Sequence, residues 1–419
     1  MQTTNSKRLK AGIVATVGFA LLLAGCGSQP SNSTGTGTST STSGQAPVEK
    51  APIKIGIATS QTGALEAYGK QSIRGFELGL EYATKGSKQV AGRSIQVVIE
   101  DTETKPDVAK QKALKLLEDA KVDILVGSAS STDALAILPL AQEYKKVMVV
   151  EPAVADAITG SQWNRYIFRT GRNSSQDAVA GATAIAKPGV KIAVLAPDSA
   201  YGRDGVKAFK PVAEKLGAKL VQEEFAAANT TDFTANIQRI INAKPDYLFV
   251  IWAGANTPWQ QLSDMKLTEK GIKISTSAPD MAALKTMWNM VGMEGFSVYY
   301  HGLPKNPTND WLIEEHKKKY NEPPDLFTAG GMSAALALVQ ALEKTGGEAD
   351  AEKLIAAMEG MSFDTPKGQM TFRKEDHQAL QTLYAIKLEK KEGVAWPVPV
   401  LVREMTPEET SPPIRNQKN

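Results

Sequence analysis

The sequence has little of what reactive chemistry uses. Of its 419 residues one is cysteine and three are histidine. A lone thiol, Cys26, excludes an internal disulfide and any zinc or iron–sulfur centre built from several of the chain's own thiolates. His301, His316 and His377 show no metal-ligand spacing. No Gly-x-Ser-x-Gly elbow, Walker phosphate loop or Gly-x-Gly-x-x-Gly fingerprint occurs. The nearest phosphate-loop lookalike, Gly69-Lys70-Gln71-Ser72, lacks the upstream glycine at the required distance. The sequence therefore asks for no cofactor and no metal, nominates no catalytic residue, and reads as a non-enzyme.

An excess of either charge is missing too. There are 48 basic and 45 acidic residues, and three of the basic ones (Lys7, Arg8, Lys10) lie at the extreme N-terminus. Without them the chain is balanced. A balanced chain with no basic block does not suit nucleic acid or an anionic membrane surface, which need concentrated Lys and Arg. The Lys317, Lys318, Lys319 run reads as a solvated helix face.

No apolar run is long enough to cross a bilayer near the N-terminus either: Ala11–Ala24 falls short of the roughly 20 residues a span needs. Preceded by the three basic residues and followed by Leu23-Ala24-Gly25-Cys26, it reads as a lipoprotein signal peptide over 1–25, with Cys26 lipidated. Gly27 to Gln45 is nearly all Ser, Thr, Gly and Asn, a composition that buries no apolar surface, so 26–50 reads as a lipidated cysteine plus flexible tether. The implied location is outside the cytoplasm, anchored by lipid on the periplasmic side or at the cell surface, with membrane contact only through Cys26.

What is present beyond the tether is an alternation of apolar β-type runs with helical patterns, the signature of parallel sheets with crossover helices. Strands are expected at Ile53–Thr59, Ile95–Asp101 and Asp123–Gly127, with helices from about Tyr68 to Lys85, from Pro106 and from Thr132. The pattern restarts after Gly189. Strands follow at Val190–Ala196, Lys219–Phe225 and Tyr247–Trp252, with a helix Gly202–Leu216 carrying Val206, Phe209, Ala213 and Leu216 on one stripe. A further helix turns Phe233, Ile237, Ile240 and Ile241 inward. Two such units exceed one comfortable core, so the fold class is α/β with two doubly wound lobes. Helices near Asn309–Tyr320, Thr328–Lys344 and Ala351–Glu359 come next, then a strand pair, Gly368–Phe372 with Leu380–Leu388, and the pattern alone does not decide which lobe these late elements join.

Several pieces, in this order, carry a resemblance: IKIGIATSQTGALEAYGKQSIRGFELGLE at the first strand and helix, GSASSTDALA, EPAVADAIT, FRTGRNSSQDA, APDSAYGRDG and SAPD. From Ile53 to about Gly347 the chain resembles the branched-chain amino acid (Leu/Ile/Val) binding proteins of ABC import systems, with the type I periplasmic-binding fold. The resemblance implies two lobes joined by a hinge, 51–171 plus about 301–362 and 172–300 plus about 363–403, with a tail over 404–419. It also implies a small carboxylate, an amino acid or an aromatic acid, captured between the lobes and delivered to an ABC permease. A receptor or sensor of the same fold for aromatic acids or amides, without transport, is the alternative; the feature separating them is a fused signalling segment.

The resemblance implies the site residues. Ser130 and Ser131 stand where the family holds a ligand carboxylate, although a serine pair before a helix also serves as its N-cap. Tyr68 and Tyr201 stand where it places aromatic rings from opposite lobes. Asp280 stands where amino-acid binders pair an acid with the ligand's ammonium group, or else it caps the helix starting near Met281. The loop after the fourth strand departs from the family by lacking a hydroxyl, leaving backbone groups of Ala153, Val154 and Ala155 to meet the ligand. Trp252, at the end of its strand, completes with the two tyrosines an aromatic slot suited to an aromatic or larger aliphatic carboxylate.

Overall fold

A computed structural model describes residues 50–416 apart from 228 and 255. The expected signal peptide, lipidation site and nearly all of the tether lie outside the described residues. The first half of the chain runs β1 (Ile53–Thr59), α1 (Glu66–Ala83), β2 (Gln89–Val90), β3 (Arg93–Asp101), α2 (Pro106–Glu118), β4 (Ile124–Gly127), α3 (Ser131–Glu143), β5 (Met148–Val150), a 3-10 turn at Asp156–Ile158 and β6 (Ile167–Arg169). These strands form one sheet in the order β2-β3-β1-β4-β5-β6, parallel except for the short β2 edge. β1 is apolar almost throughout because helices cover both of its faces, as a central parallel strand requires. α2 begins with Pro106, whose missing N–H costs nothing in a first turn, and lays Ala109, Ala113, Leu116 and Leu117 on the sheet.

The second unit runs α4 (Ser174–Ile185), β7 (Lys191–Pro197), α5 (Ala200–Lys215), β8 (Lys219–Ala226), α6 (Thr234–Ala243), β9 (Tyr247–Val250), α7 (Trp259–Asp264), β10 (Lys273–Thr276), α8 (Met281–Thr286) and β11 (Glu294–Ser297). Its parallel sheet has the order β10-β9-β7-β8, extended past β10 by a single bridge from Ser277 to Phe296 of β11. Phe233, Ile237 and Ile240 are buried beneath it. Leu216, expected on the buried stripe of α5, is 40% exposed: the helix ends at Lys215, and Gly217, at φ +87°, turns the chain away.

The chain then continues through α9 (Pro307–Tyr320), α10 (Leu326–Lys344), α11 (Ala351–Met358), β12 (Ser362–Thr365), β13 (Gly368–Phe372), β14 (Ala379–Leu380), β15 (Leu383–Glu389) and β16 (Val398–Met405). The strand pair expected from Gly368–Phe372 and Leu380–Leu388 is corrected here. β13 pairs with β12 and, at two positions only, with β14, whereas β15 pairs with β11 and β16. Phe363, Met370 and Phe372 pack into the core of the first sheet, while Tyr384, Ile386 and Leu388 pack into that of the second. The intervening Gln378 and Gln381 side chains bond to backbone carbonyls of the Thr170–Gly171 crossover, which separates the two hairpins.

α10 is long and apolar enough to cross a membrane by length and composition, but it is a core helix, buried against α1. The two helices cross with backbones touching: Gly75 of α1 faces Thr328, and Gly331 of α10 faces Ser72. Both parallel sheets thus turn their carboxyl edges toward one cleft, with α1 and α10 alongside it.

Candidate functional site

A cavity of about 1040 Å³ lies between those two edges. From the first lobe it is lined by Tyr68, Ser130, Ser131, Ala153 and Val154, and from the second by Tyr201, Trp252 and Asp280. The structure thus gathers eight of the nine expected ligand residues around one space. Ala155 is the exception and is corrected: it is fully buried, its carbonyl accepts from Arg169 and its N–H donates to Ser131.

The strand-to-helix turn after β4 builds the anion end. Gly127 holds φ +136°, and a Cβ there would lie 2.1 Å from the Ala58 carbonyl, so only glycine lets β4 close on β1 at this point. Ser130 is the N-cap of α3, accepting from Asp133 N–H at 3.2 Å. Ser131 Oγ accepts from the N–H groups of Val154 and Ala155, both at 3.1 Å. Its lone pairs are therefore spent and its proton is left to donate toward the cleft. The same bonds correct the expected role of the loop after β5. The Ala153 N–H goes to the Ser128 carbonyl and the other two go to Ser131, so none of the three amides meets the ligand; Ala153 and Val154 offer apolar side chains instead. The first-turn amides of Ser131 and Thr132 make no hydrogen bond to the described residues and carry the positive end of the helix dipole into the cavity.

The opposite wall is aromatic and acidic. Tyr68 stacks on Phe327 of α10 at 3.9 Å between ring centroids. Its hydroxyl accepts from Gly254 N–H of the second lobe at 3.1 Å, a bond across the cleft. Burial, and then the charge of Asp280, push this phenol well above its usual range. The Tyr201 phenol, 3.4 Å from Ser277 Oγ, is pushed up to about 12 by burial. Trp252 gives its indole N–H to the Asn256 carbonyl at 2.5 Å and packs edge-on against Phe233, so it is wall more than partner. Asp280 is the N-cap of α8, accepting from Ala283 N–H at 2.6 Å. Asp325, N-cap of α10, accepts from Leu326 at 2.7 Å and from Met281 of α8 at 2.9 Å. Burial raises both acids.

Sequence reasoning missed Arg172 and Phe327, both of which line the cavity. Arg172 lies inside the quoted FRTGRNSSQDA piece without an assigned role, yet it is buried and lines the cavity. Phe327 stands at the start of α10, where no aromatic spacing announces it.

Behind the anion end, Asp133 in the first turn of α3 is fully buried, and neither oxygen makes a well-formed hydrogen bond to the described residues. Burial pushes its carboxyl from 3.8 up to about 6, offset in part by the nearby Thr102 and Ser130 hydroxyls. A raised folded-state value means that the folded chain holds this proton more tightly than the unfolded one. The contribution to stability is complete below pH 4 and is lost as pH rises to about 6. Asp133→Asn is expected to stabilise the protein at pH 7 by about 2 kcal/mol and to flatten the pH dependence over that window, as read by urea unfolding. An unchanged profile would contradict this.

The sequence profile of the family described as "Periplasmic binding protein" matches residues 52–393. A Rhodopseudomonas palustris structure described as an ABC-type branched-chain amino acid transporter is 53% identical, with TM-score 0.77, covering 87% of this chain and all of that one. A second R. palustris structure, a solute-binding protein of an ABC transporter in complex with 3,4-dihydroxybenzoic acid, is 29% identical, with TM-score 0.75, covering 85% and 97%. The leucine-, isoleucine-, valine-, threonine- and alanine-binding protein of Pseudomonas aeruginosa is 28% identical over 325 residues, 76% of this chain and 85% of its own length. The chain belongs to the periplasmic binding protein family. It is a solute-binding protein of the ABC-transporter type with two α/β lobes, and proteins of this kind work outside the cytoplasm.

Proposed function

We propose that the protein captures a small organic carboxylate, an amino acid or an aromatic acid, in the cleft and hands it to an ABC permease without performing chemistry on it. The observation that carries this is the cavity itself, with α3 amides and the Ser131 hydroxyl on one lobe and Tyr201, Trp252 and Asp280 on the other. A ligand touching both lobes favours the closed arrangement by its differential contacts. The P. aeruginosa relative named for aliphatic amino acids and the R. palustris protein holding a dihydroxybenzoate bracket this ligand range. In the same reading Cys26 is acylated and its lipid holds the protein at the membrane.

A thermal-shift screen of amino acids, aromatic acids and amides tests the reading. A true ligand at a hundred times its Kd adds about 2.7 kcal/mol to native-state stability and raises Tm accordingly. A screen in which no carboxylate moves Tm, while neutral amides do, would contradict it.

A further inference from the structure

We propose that Arg172 is the receptor for the ligand's carboxylate, and that the cleft therefore selects an acid whose remaining bulk is apolar and carries no ammonium group. This rests on the carboxylate-capture reading above and narrows it.

Arg172 sits on the first crossover between the lobes, after β6 and just before α4, and is 8% exposed. Its Nε donates to Asp177 Oδ1 at 3.2 Å. Buried arginine–carboxylate pairs commonly meet fork to fork, with two parallel bonds. Here they do not: the second oxygen of Asp177 has no partner, and the two terminal nitrogens of Arg172 make no hydrogen bond to the described residues. Since Arg172 lines the cavity, the free end of the fork is offered to a second anion. Asp177 keeps the guanidinium charged and in place while the cleft is empty. The aromatic ring of Tyr201 adjoins both groups, and Glu151 and Lys367 supply one further charge of each sign nearby.

The other charges on the cavity wall are already engaged. Asp280 caps α8 and lies against the Tyr68 hydroxyl, and neighbouring Asp325 caps α10 and binds the Met281 amide. At the rim, Lys70 pairs with Glu66, Arg74 with Glu322 and Asp198 with Arg203. Among the described residues lining the cavity, the charge left with open donor positions is thus a buried cation. A zwitterion would bring a cation that the wall does not call for, whereas a simple carboxylate brings what Arg172 lacks. Tyr68, Phe327, Tyr201 and Trp252 then receive the ligand's apolar body.

Isothermal titration with two matched pairs tests this: 3-phenylpropanoate against L-phenylalanine, and 4-methylpentanoate against L-leucine, each pair differing only by the α-ammonium group. The deaminated acids are expected to bind at least about tenfold tighter. Arg172→Gln is expected to weaken them by about 100-fold, with Arg172→Lys recovering part of the loss. The double variant Arg172→Gln/Asp177→Asn removes the buried pair together, protects the fold and should lose as much affinity. Amino acids binding tighter than their deaminated partners, or a folded Arg172 variant within about threefold of wild type, would overturn the proposal while leaving carboxylate capture intact. If none of the four compounds binds, this proposal fails, while carboxylate capture itself stands or falls with the thermal-shift screen. The comparison of matched pairs on the unaltered protein needs no variant to fold.

Discussion

Replacing Gly331 by alanine is expected to destabilise the protein by about 3 kcal/mol or more, as measured by urea unfolding, with no loss of ligand-binding residues. A Cβ at this position would lie 2.0 Å from the Ser72 carbonyl oxygen and 3.0 Å from Phe76 N, both backbone atoms of α1. Backbone does not swing aside as a flexible side chain does, so the helices must separate. Separation loses contacts along the whole α1–α10 seam, because interiors packed to crystal density lose dispersion energy even over sub-ångström gaps. Gly75→Ala makes the mirror-image clash, 1.9 Å from the Thr328 carbonyl, and should cost about as much. Combining the two should cost less than the sum, since one separation relieves both. A Gly331 variant of wild-type stability would mean that the close crossing is wrong.

The second large effect concerns Arg169, fully buried at the end of β6. Its Nε donates to Gln378 Oε1 and one Nη to the Ala155 carbonyl, each at 2.7 Å, and the other Nη donates to Thr159 Oγ1. No carboxylate among the described residues touches it; Asp156, Asp376 and Asp204 act from further away, and burial brings its pKa down to about 10. Neutral acceptors thus solvate this cation in place of water. Arg169→Met fills part of the volume but removes three buried charge-assisted bonds, leaving the Ala155 carbonyl only the Ile158 N–H and the Gln378 amide oxygen only the Thr159 hydroxyl, and is expected to cost about 3 kcal/mol. Because Gln378 also donates to the Gly171 carbonyl on the lobe crossover, the damage should spread to the hinge and slow or weaken ligand capture. An Arg169→Met protein as stable as the parent would show that these bonds matter little.

Much of the frame was legible because it is local. β1 and α2 declare themselves through a mostly apolar run and through a proline followed by an apolar stripe, and the structure returns β1 at the expected residues. Eight expected residues meet at one cavity because loops after parallel strands necessarily converge on the sheet's carboxyl edge. What depends on long-range placement was hidden. Whether the amides after β5 face the ligand was decided by Ser131, more than twenty residues upstream, which takes two of them. The destination of β13 depended on Phe363, Met370 and Phe372 finding the first core, and strands this short carry no mark of the lobe they join. Arg172 could not be recognised because its meaning lies in which end of a guanidinium Asp177 occupies, a fact of side-chain geometry that no spacing encodes.

The central claim, that one small carboxylate is held by both lobes at once, is tested most directly by calorimetric titration of the best ligand against two variants, one from each wall. Ser131→Ala removes the hydroxyl of the first lobe and Tyr201→Ala the ring of the second, and each is expected to weaken binding of a single ligand per chain by about tenfold or more. Full affinity in the Tyr201 variant, or a ligand that responds to one wall only, would contradict it.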